Sequence, residues 1–443
     1  MSLLRDTESK SVAFVVCLLG FVFNLIAYYP GFMSPDSLDQ YQQSLSGIYN
    51  DWHPPIMSGL WHLFNYIYAG PLMMLLLQLF MFWLSIYILL TSIKGLTWKL
   101  SILLLSLAPF IQNFAGYIIK DVQMSYAWLL ASVILFRALI AKRKLSLLEA
   151  IVSILLIVYA TWIRQNALPG SLPFCFWWVW LVFGNKSNKF KLIASVILVV
   201  LLAYLQFPFN YKIFHAEKTY PETKLYLEDI TGIYAKTGDS YYTPYVLTGP
   251  AFDTNKLRLG YNPATFDDLW DTHGSGELLP DMSDNNVKDL QKAWEHAIIK
   301  HPFIYFNNRA DGFLYYLRIK NRTPLHYYYP YIDPNSYGFV FKSNIISKLF
   351  LQPIAFQKDM FYMRPWFWFV ISIALLFFIR GFKNKAFKQY YILLVFSGLL
   401  YLLPQFLVYQ TDTDLRYFYW NCLAPALCIC ILIADRKQLK PVT

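Results

Sequence analysis

Three cations and two carboxylates stand out by where they fall in the chain. Lys120 and Asp121 are adjacent, Arg164 heads Arg164-Gln165-Asn166, and Arg416 precedes Tyr417, each in a short polar break between apolar stretches. Charges at membrane depth are costly and tend to face a protein interior or a cavity. Arginine offers phosphate oxygens a planar fork and lysine a compact point charge. Lys120, Arg164 and Arg416 gathered at one level therefore suit a lipid-linked phosphate. Asp36, in Ser34-Pro35-Asp36-Ser37, supplies the complement: a carboxylate within hydrogen-bond reach takes the proton of an acceptor hydroxyl. Asp121 is the second such candidate, with Asp39 and Asp51 behind it, and His53 before Pro54-Pro55 suits orienting a phosphate or an acceptor. Each has a plainer reading as well. A carboxylate caps a helix N-terminus, His53 can be a turn residue, and Arg416 can pair with Asp412 or Asp414, as Lys120 can with Asp121. That all three cations are structural, on the membrane side where topology disfavours them, is the harder reading.

These residues need a membrane fold to hold them. The chain has 443 residues, of which 57% are hydrophobic, 19% aromatic and 15% charged, against roughly 25% charged in a soluble domain. A bilayer crossing takes about 20 apolar residues. Ten stretches qualify: 11–29, 71–92, 99–116, 122–141, 147–163, 168–184, 191–208, 365–380, 389–408 and 417–434. Residues 11–29 read as a retained span. Basic clusters at 94–99, 137–144, 186–191, 380–388 and 436–440 all fall on one side if the spans alternate, and no Lys or Arg occurs from 11 to 93. The positive-inside rule then puts both termini in the cytoplasm and residues 30–70 and 209–364 outside. The formal charge of +11 is thereby a topology signal, with no need of nucleic acid. The five cysteines lie in apolar stretches, outside any disulfide or zinc spacing.

The expected organisation is an all-α polytopic membrane protein: a transmembrane domain over 1–208 with a first outer loop at 30–70, an outer module over 209–364, and C-terminal spans in 365–443. In the first loop, Ser34 and Pro35 read as a helix start and Gly47 as its end. Leu38, Tyr41, Leu45 and Ile48 give that helix an apolar side to lay on the membrane, and a second amphipathic stretch runs over 56–68. The module reads as a mixed, partly helical unit. Its 238–285 part is Gly-, Asp- and Pro-rich, and Val287, Leu290, Trp294, Ala297 and Ile298 share one helical face before Pro302. A further helix over 303–318 presents Phe306, Ala310, Phe313, Leu314 and Leu317. His215, His273, His296, His301 and His326 lack ligand spacing, Asn321-Arg322-Thr323 fits a glycosylation sequon, and Asp412-Thr413-Asp414 is better matched to Arg416 than to a metal.

The order of these motifs resembles the polytopic glycosyltransferases of the GT-C fold. The resemblance rests on Ser34-Pro35-Asp36-Ser37 with Tyr41 and Trp52-His53-Pro54-Pro55 in the first outer loop, then Lys120-Asp121, Arg164-Gln165-Asn166-Ala167 and Leu415-Arg416-Tyr417. Length and the single large outer module are similar to the phage-encoded bacterial glucosyltransferases that modify O-antigen and change serotype. The resemblance implies a multi-pass protein of the bacterial inner membrane with its site facing the periplasm. The implied donor is undecaprenyl-phosphate glucose or a related sugar, and the acceptor a lipid-linked or O-antigen glycan held by the 209–364 module. Asp36 would be the base of an inverting transfer, with Asp121 the fold's second acidic position. Lys120, Arg164 and Arg416 would neutralise the donor phosphate, and Asp39, His53, Asn166 and Tyr417 would position donor or acceptor. The family's first-loop acidic pair is often Asp-Glu, whereas Ser37 follows Asp36 here; the role of Asp39 and the part of a divalent cation, Mg or Mn, stay open. The rivals are an O-antigen polymerase or ligase and a transporter or flippase of a lipid-linked sugar. A transporter places polar residues and broken helices near the midplane, often in repeated halves.

Overall fold

Inside a bilayer no water satisfies a freed backbone group, so a spanning chain closes its hydrogen bonds within helices. Among the described residues helices are the only regular elements, apart from isolated bridges. The computed structural model describes residues 2–244, 254–265, 283–320, 329–407 and 413–442; Asp412, His273, His326 and the sequon at Asn321 lie outside them. The chain opens with α1 (Ser2–Tyr28), apolar enough to cross a membrane over Lys10–Tyr28. The 30–70 loop folds into α2 (Pro35–Ser46) and α3 (Ile56–Asn65). Then come the spanning helix α4 (Leu72–Ser92) and the pair α5 (Leu96–Ser106) and α6 (Pro109–Ala115), bent by 51°. The spanning helix α7 (Lys120–Ile140) precedes the shorter apolar helices α8 (Leu147–Trp162) and α9 (Leu168–Val182). Spanning helix α10 (Asn188–Pro208) runs on to Ile213. The 209–364 module contributes α11 (Glu222–Thr237), α12 (Thr254–Gly260), α13 (Asp284–Lys300), α14 (Pro302–Tyr316) and α15 (Ile345–Gln357). Short α16 (Pro365–Phe378) and the spanning helices α17 (Lys385–Leu407) and α18 (Tyr419–Arg436) close the chain.

Six helices among the described residues are therefore long and apolar enough to cross, or seven with the bent pair taken as one span, where ten stretches had qualified. The difference lies in α8, α9 and α16, which are apolar but short. α9 runs through Pro173 from the expected start at Leu168, and α16 starts at Pro365, so both keep their places and differ only in length. α7 is the centre of the bundle, packed by α4, α8, α9, α17 and α18 and buried along most of its length. α1 and α10 are the outermost, with Phe14, Phe23, Val200 and Phe207 exposed as a lipid-facing surface requires. The break at Pro109 frees carbonyl groups that lipid cannot satisfy. Gln112 answers it: its amide donates to the Ser106 carbonyl at 2.6 Å, and its oxygen accepts from Asn24 at 2.9 Å and Tyr28 at 2.8 Å.

Ser34 caps α2, Pro35 is its first residue, and Gly47 ends it in the left-handed region at φ 68°, as the sequence reading has it. Its buried face differs. Ser37, Gln40, Tyr41, Gln43 and Ser44 turn inward, while Leu45 and Ile48 are exposed. Hydrogen bonds decide this: Ser37 donates to the Ile118 carbonyl at 2.7 Å, and Gln40 to the Asp36 carbonyl at 3.1 Å. The loop is also latched by main chain, with the Phe32 N–H donating to the Gly116 carbonyl at 2.7 Å and the Ile118 N–H to the Phe32 carbonyl at 3.0 Å. A Cβ on Gly116 would stand 2.6 Å from Tyr28, so only glycine allows this approach. The latch fixes the start of α2 beside the start of α7. In the module, Val287, Leu290 and Ala297 bury one face of α13 as predicted. For α14 the face is rotated: Tyr305, Asn308, Arg309, Gly312 and Tyr316 are buried, and Phe306 and Ala310 are exposed. The cause is a buried ion pair, Arg309 Nη2 to Asp229 Oδ2 at 2.6 Å, which a hydrophobic pattern does not reveal.

Candidate active site

A cavity of about 590 Å³ opens where α2, α7, the α8–α9 turn and the start of α18 meet the module. Asp36, His53, Lys120, Arg164, Asn166, Arg416 and Tyr417 line it together, although Asp36 and Arg416 lie 380 positions apart. Arg416 donates through Nη1 to Asp36 Oδ2 at 2.7 Å, and its Nε lies 3.2 Å from Asp414 Oδ2. Lys120 donates through Nζ to His53 Nδ1 at 2.8 Å, so the ring proton of a neutral His53 is on Nε2. Arg164 Nη1 lies 2.9 Å from Asp121 Oδ1, and its Nε donates to Asn166 Oδ1 at 3.2 Å. The Tyr417 ring contacts both guanidinium groups, its centroid 4.7 Å from Arg164 Cζ and 4.9 Å from Arg416 Cζ. The face of an aromatic ring attracts such cations.

Lys120 is the first residue of α7. A helix N-terminus carries partial positive charge and favours anions, so a lysine there breaks a local rule and adds to a site that already repels itself. With Lys224 from α11, four cations line the cavity against two carboxylates, Asp36 and Glu222. Burial alone would raise the Asp36 carboxyl, but Arg416 first, then His53 and Lys120, hold it well below the usual carboxylate range. Burial, and then the charge of Lys120, push His53 down to about 3. His53 is therefore neutral, and its 3.8 Å approaches to Asp36 and Asp39 are not ion pairs. Asp39 is raised by burial and accepts from Gln43 at 2.7 Å; it stands beside the cavity without lining it. Burial also raises Glu222 on the module wall.

Asp121 is placed differently from Asp36. Its side chain is 1% exposed against 29%, and it lies behind Arg164 without reaching the cavity. That is the position of a group that orients Arg164. Asp51 is likewise occupied: it accepts from Tyr211 at 2.7 Å and from the Thr219 N–H and hydroxyl at 2.6 and 2.7 Å, tying the first loop to the module. Of the structural pairings that the sequence offered, Arg416 with Asp414 forms at 3.2 Å, whereas Lys120 turns to His53 and Asp121 to Arg164.

Sequence reasoning missed the module wall: Glu222, Lys224, Tyr226 and Trp294. Trp294 reads as core in the helical pattern, yet it is half-buried, donates through Nε1 to Asp229 at 2.8 Å and stacks near Tyr226 with ring centroids 4.9 Å apart. Its signal was a polar partner for the indole, which no spacing encodes. Among the described residues no group of three His, Cys, Asp or Glu side chains could share a metal ion, and Asp36 is already bound by Arg416. Comparison with known proteins returned no match, whether to a protein-family model, a curated protein or a solved structure.

Proposed function

We propose that the protein is a membrane glycosyltransferase that moves a sugar from a polyprenyl phosphate to a glycan acceptor. The observation that carries this reading is the single cleft at one end of the spans, in which Arg164, Arg416 and Lys120 surround one accessible carboxylate, Asp36. The donor phosphodiester sits against these three cations and the Asn166 side chain on the same wall. An acceptor hydroxyl attacks the anomeric carbon from the face opposite the phosphate. As that bond forms, the carbon–oxygen bond to phosphate breaks and its electron pair leaves on the phosphate oxygen, where fixed cations stabilise the developing charge. The hydroxyl proton passes to Asp36, and the configuration inverts. Arg416 has a double part: it holds Asp36 in the empty site and exchanges that carboxylate for the incoming phosphate, which frees the base. The module wall, with Glu222 and the Tyr226–Trp294 ring pair, offers a surface for the acceptor glycan.

The narrower reading, glucose delivered from undecaprenyl phosphate to O-antigen at the periplasmic face of the bacterial inner membrane, rests on the motif order alone. The transporter reading has less support. Polar side chains within the bundle, such as Gln112 and Asn24, are bonded to one another. Mass spectrometry of the surface polysaccharide tests the proposal in cells with the gene, without it, and with Asp36→Asn. The expected result is one sugar unit present only with the wild-type gene; identical glycans in all three would contradict it.

A further inference from the structure

The molecule has a second, larger cavity at the opposite end of its helices. It measures about 780 Å³ and is bounded by the ends of α7 and α9, the start of α17 and Pro441 near the C-terminus. The C-terminal strap is fixed there by main chain, with the Val442 N–H donating to the Ser92 carbonyl at 2.9 Å and the Lys94 N–H to the Lys440 carbonyl at 2.8 Å. α7 has 21 residues, so about 31 Å separates this cavity from Lys120 at a rise of 1.5 Å per residue. The hydrocarbon core is about 30 Å thick. With the catalytic cleft at one membrane surface, this cavity falls at headgroup depth on the other.

Five cations line it: Lys142, Arg143, Lys144, Lys383 and Lys385. The nearby acids answer only Arg143 among these five. Glu149 takes Arg143 through both carboxylate oxygens, at 2.5 and 2.6 Å, and Asp435 accepts the Lys383 and Asn384 N–H groups at 3.0 and 2.8 Å. No carboxylate among the described residues pairs with Lys142, Lys144, Lys383 or Lys385. The positive-inside rule explains basic loops, but not why residues from two different loops converge on one walled cavity. The walls are also apolar, with Leu139, Leu181 and Trp180 beside the lysines, and Trp180 already carries Lys191 over its ring at 5.0 Å. A free phosphate has no use for such walls. A phospholipid has both parts. We infer that this cavity binds the phosphate headgroup of an anionic phospholipid, with the start of its acyl chains against Leu139, Leu181 and Trp180. Basic pockets between spans are sites of this chemistry.

The test is native mass spectrometry of the full-length protein in detergent, titrated with phosphatidylglycerol or phosphatidylcholine. The wild type should retain phosphatidylglycerol at least about 5-fold better than a variant carrying Lys142→Gln, Lys144→Gln, Lys383→Gln and Lys385→Gln, about 1 kcal/mol by RT ln 5. Phosphatidylcholine should not distinguish the two. Replacing the same four lysines with arginine should preserve retention, which separates charge from folding. Equal phosphatidylglycerol retention in the wild type and the glutamine variant would overturn the inference. Displacement of the lipid by millimolar inorganic phosphate would also overturn it, in favour of a free anion. If the quadruple variant fails to fold, Lys144→Gln and Lys385→Gln singly should each lower retention, and no loss in either counts against the site.

Discussion

Arg416 is held by two carboxylates, Asp36 on one side and Asp414 on the other, and this pairing sets the behaviour of the empty site. If phosphate exchanges with Asp36 for Arg416, then Arg416→Ala should raise the apparent donor KM at least about 10-fold, in line with a lost charge-assisted bond of about 1.5–3 kcal/mol, with the acceptor KM changed much less. Steady-state kinetics with each substrate varied in turn reads this; an unchanged donor KM would remove Arg416 from phosphate binding. The pH profile is a second residue-scale test. Asp36 is held well below the carboxylate range and His53 lies at about 3, so neither changes charge at neutral pH. The profile of kcat/KM should therefore show no acid limb near the ordinary histidine value of about 6.5. For stability the sign is that of a depressed group: neutral His53 is favoured fully above about 6.5, and its contribution is lost as pH falls toward about 3. A limb near 6.5 that disappears in His53→Gln would contradict the assignment.

Elements bring these side chains together, and here the sequence was legible in parts. The Ser34-Pro35 start and Gly47 end of α2 are local chemistry, and they are where the residue types put them. Asp36, His53, Lys120, Arg164, Asn166, Arg416 and Tyr417 were singled out as charged or polar groups in breaks between apolar stretches, and they share one cavity. What spacing could not show was the pairing, because Lys120–His53, Arg164–Asp121 and Arg416–Asp36 are all long-range contacts. Nor could it show the inward face of α14, where Arg309 and Asp229 pair in the core, or that α8, α9 and α16 fall short of a full crossing length. Asp51 illustrates the distinction between base and brace. Its three accepted hydrogen bonds join the first loop to the module. Asp51→Ala should lower thermal stability by about 1–3 kcal/mol, the cost of leaving buried donors unpaired, with activity lost in proportion to folding. A full melting temperature combined with abolished turnover would instead mark Asp51 as a reacting group.

At the scale of the whole molecule, a charged cavity stands at each end of the helices, one mixed with carboxylates and one whose charged lining is basic. A reporter fused near Gly238, in the module, should read the compartment opposite to one fused near Gly184, beside the basic cavity. The same compartment for both would overturn the bipolar arrangement. The central claim is that the upper cleft breaks a sugar–phosphate bond. Its most direct test is purified wild-type and Asp36→Asn protein in lipid, given polyprenyl-phosphate carrying a radiolabelled sugar and an acceptor glycan. The account predicts label on the acceptor with the wild type and a rate at least about 100-fold lower with Asp36→Asn, the usual loss on removing a general base, while both proteins still bind the donor. Wild-type protein that binds the donor and leaves it intact, or Asp36→Asn protein that transfers at the full rate, would contradict it.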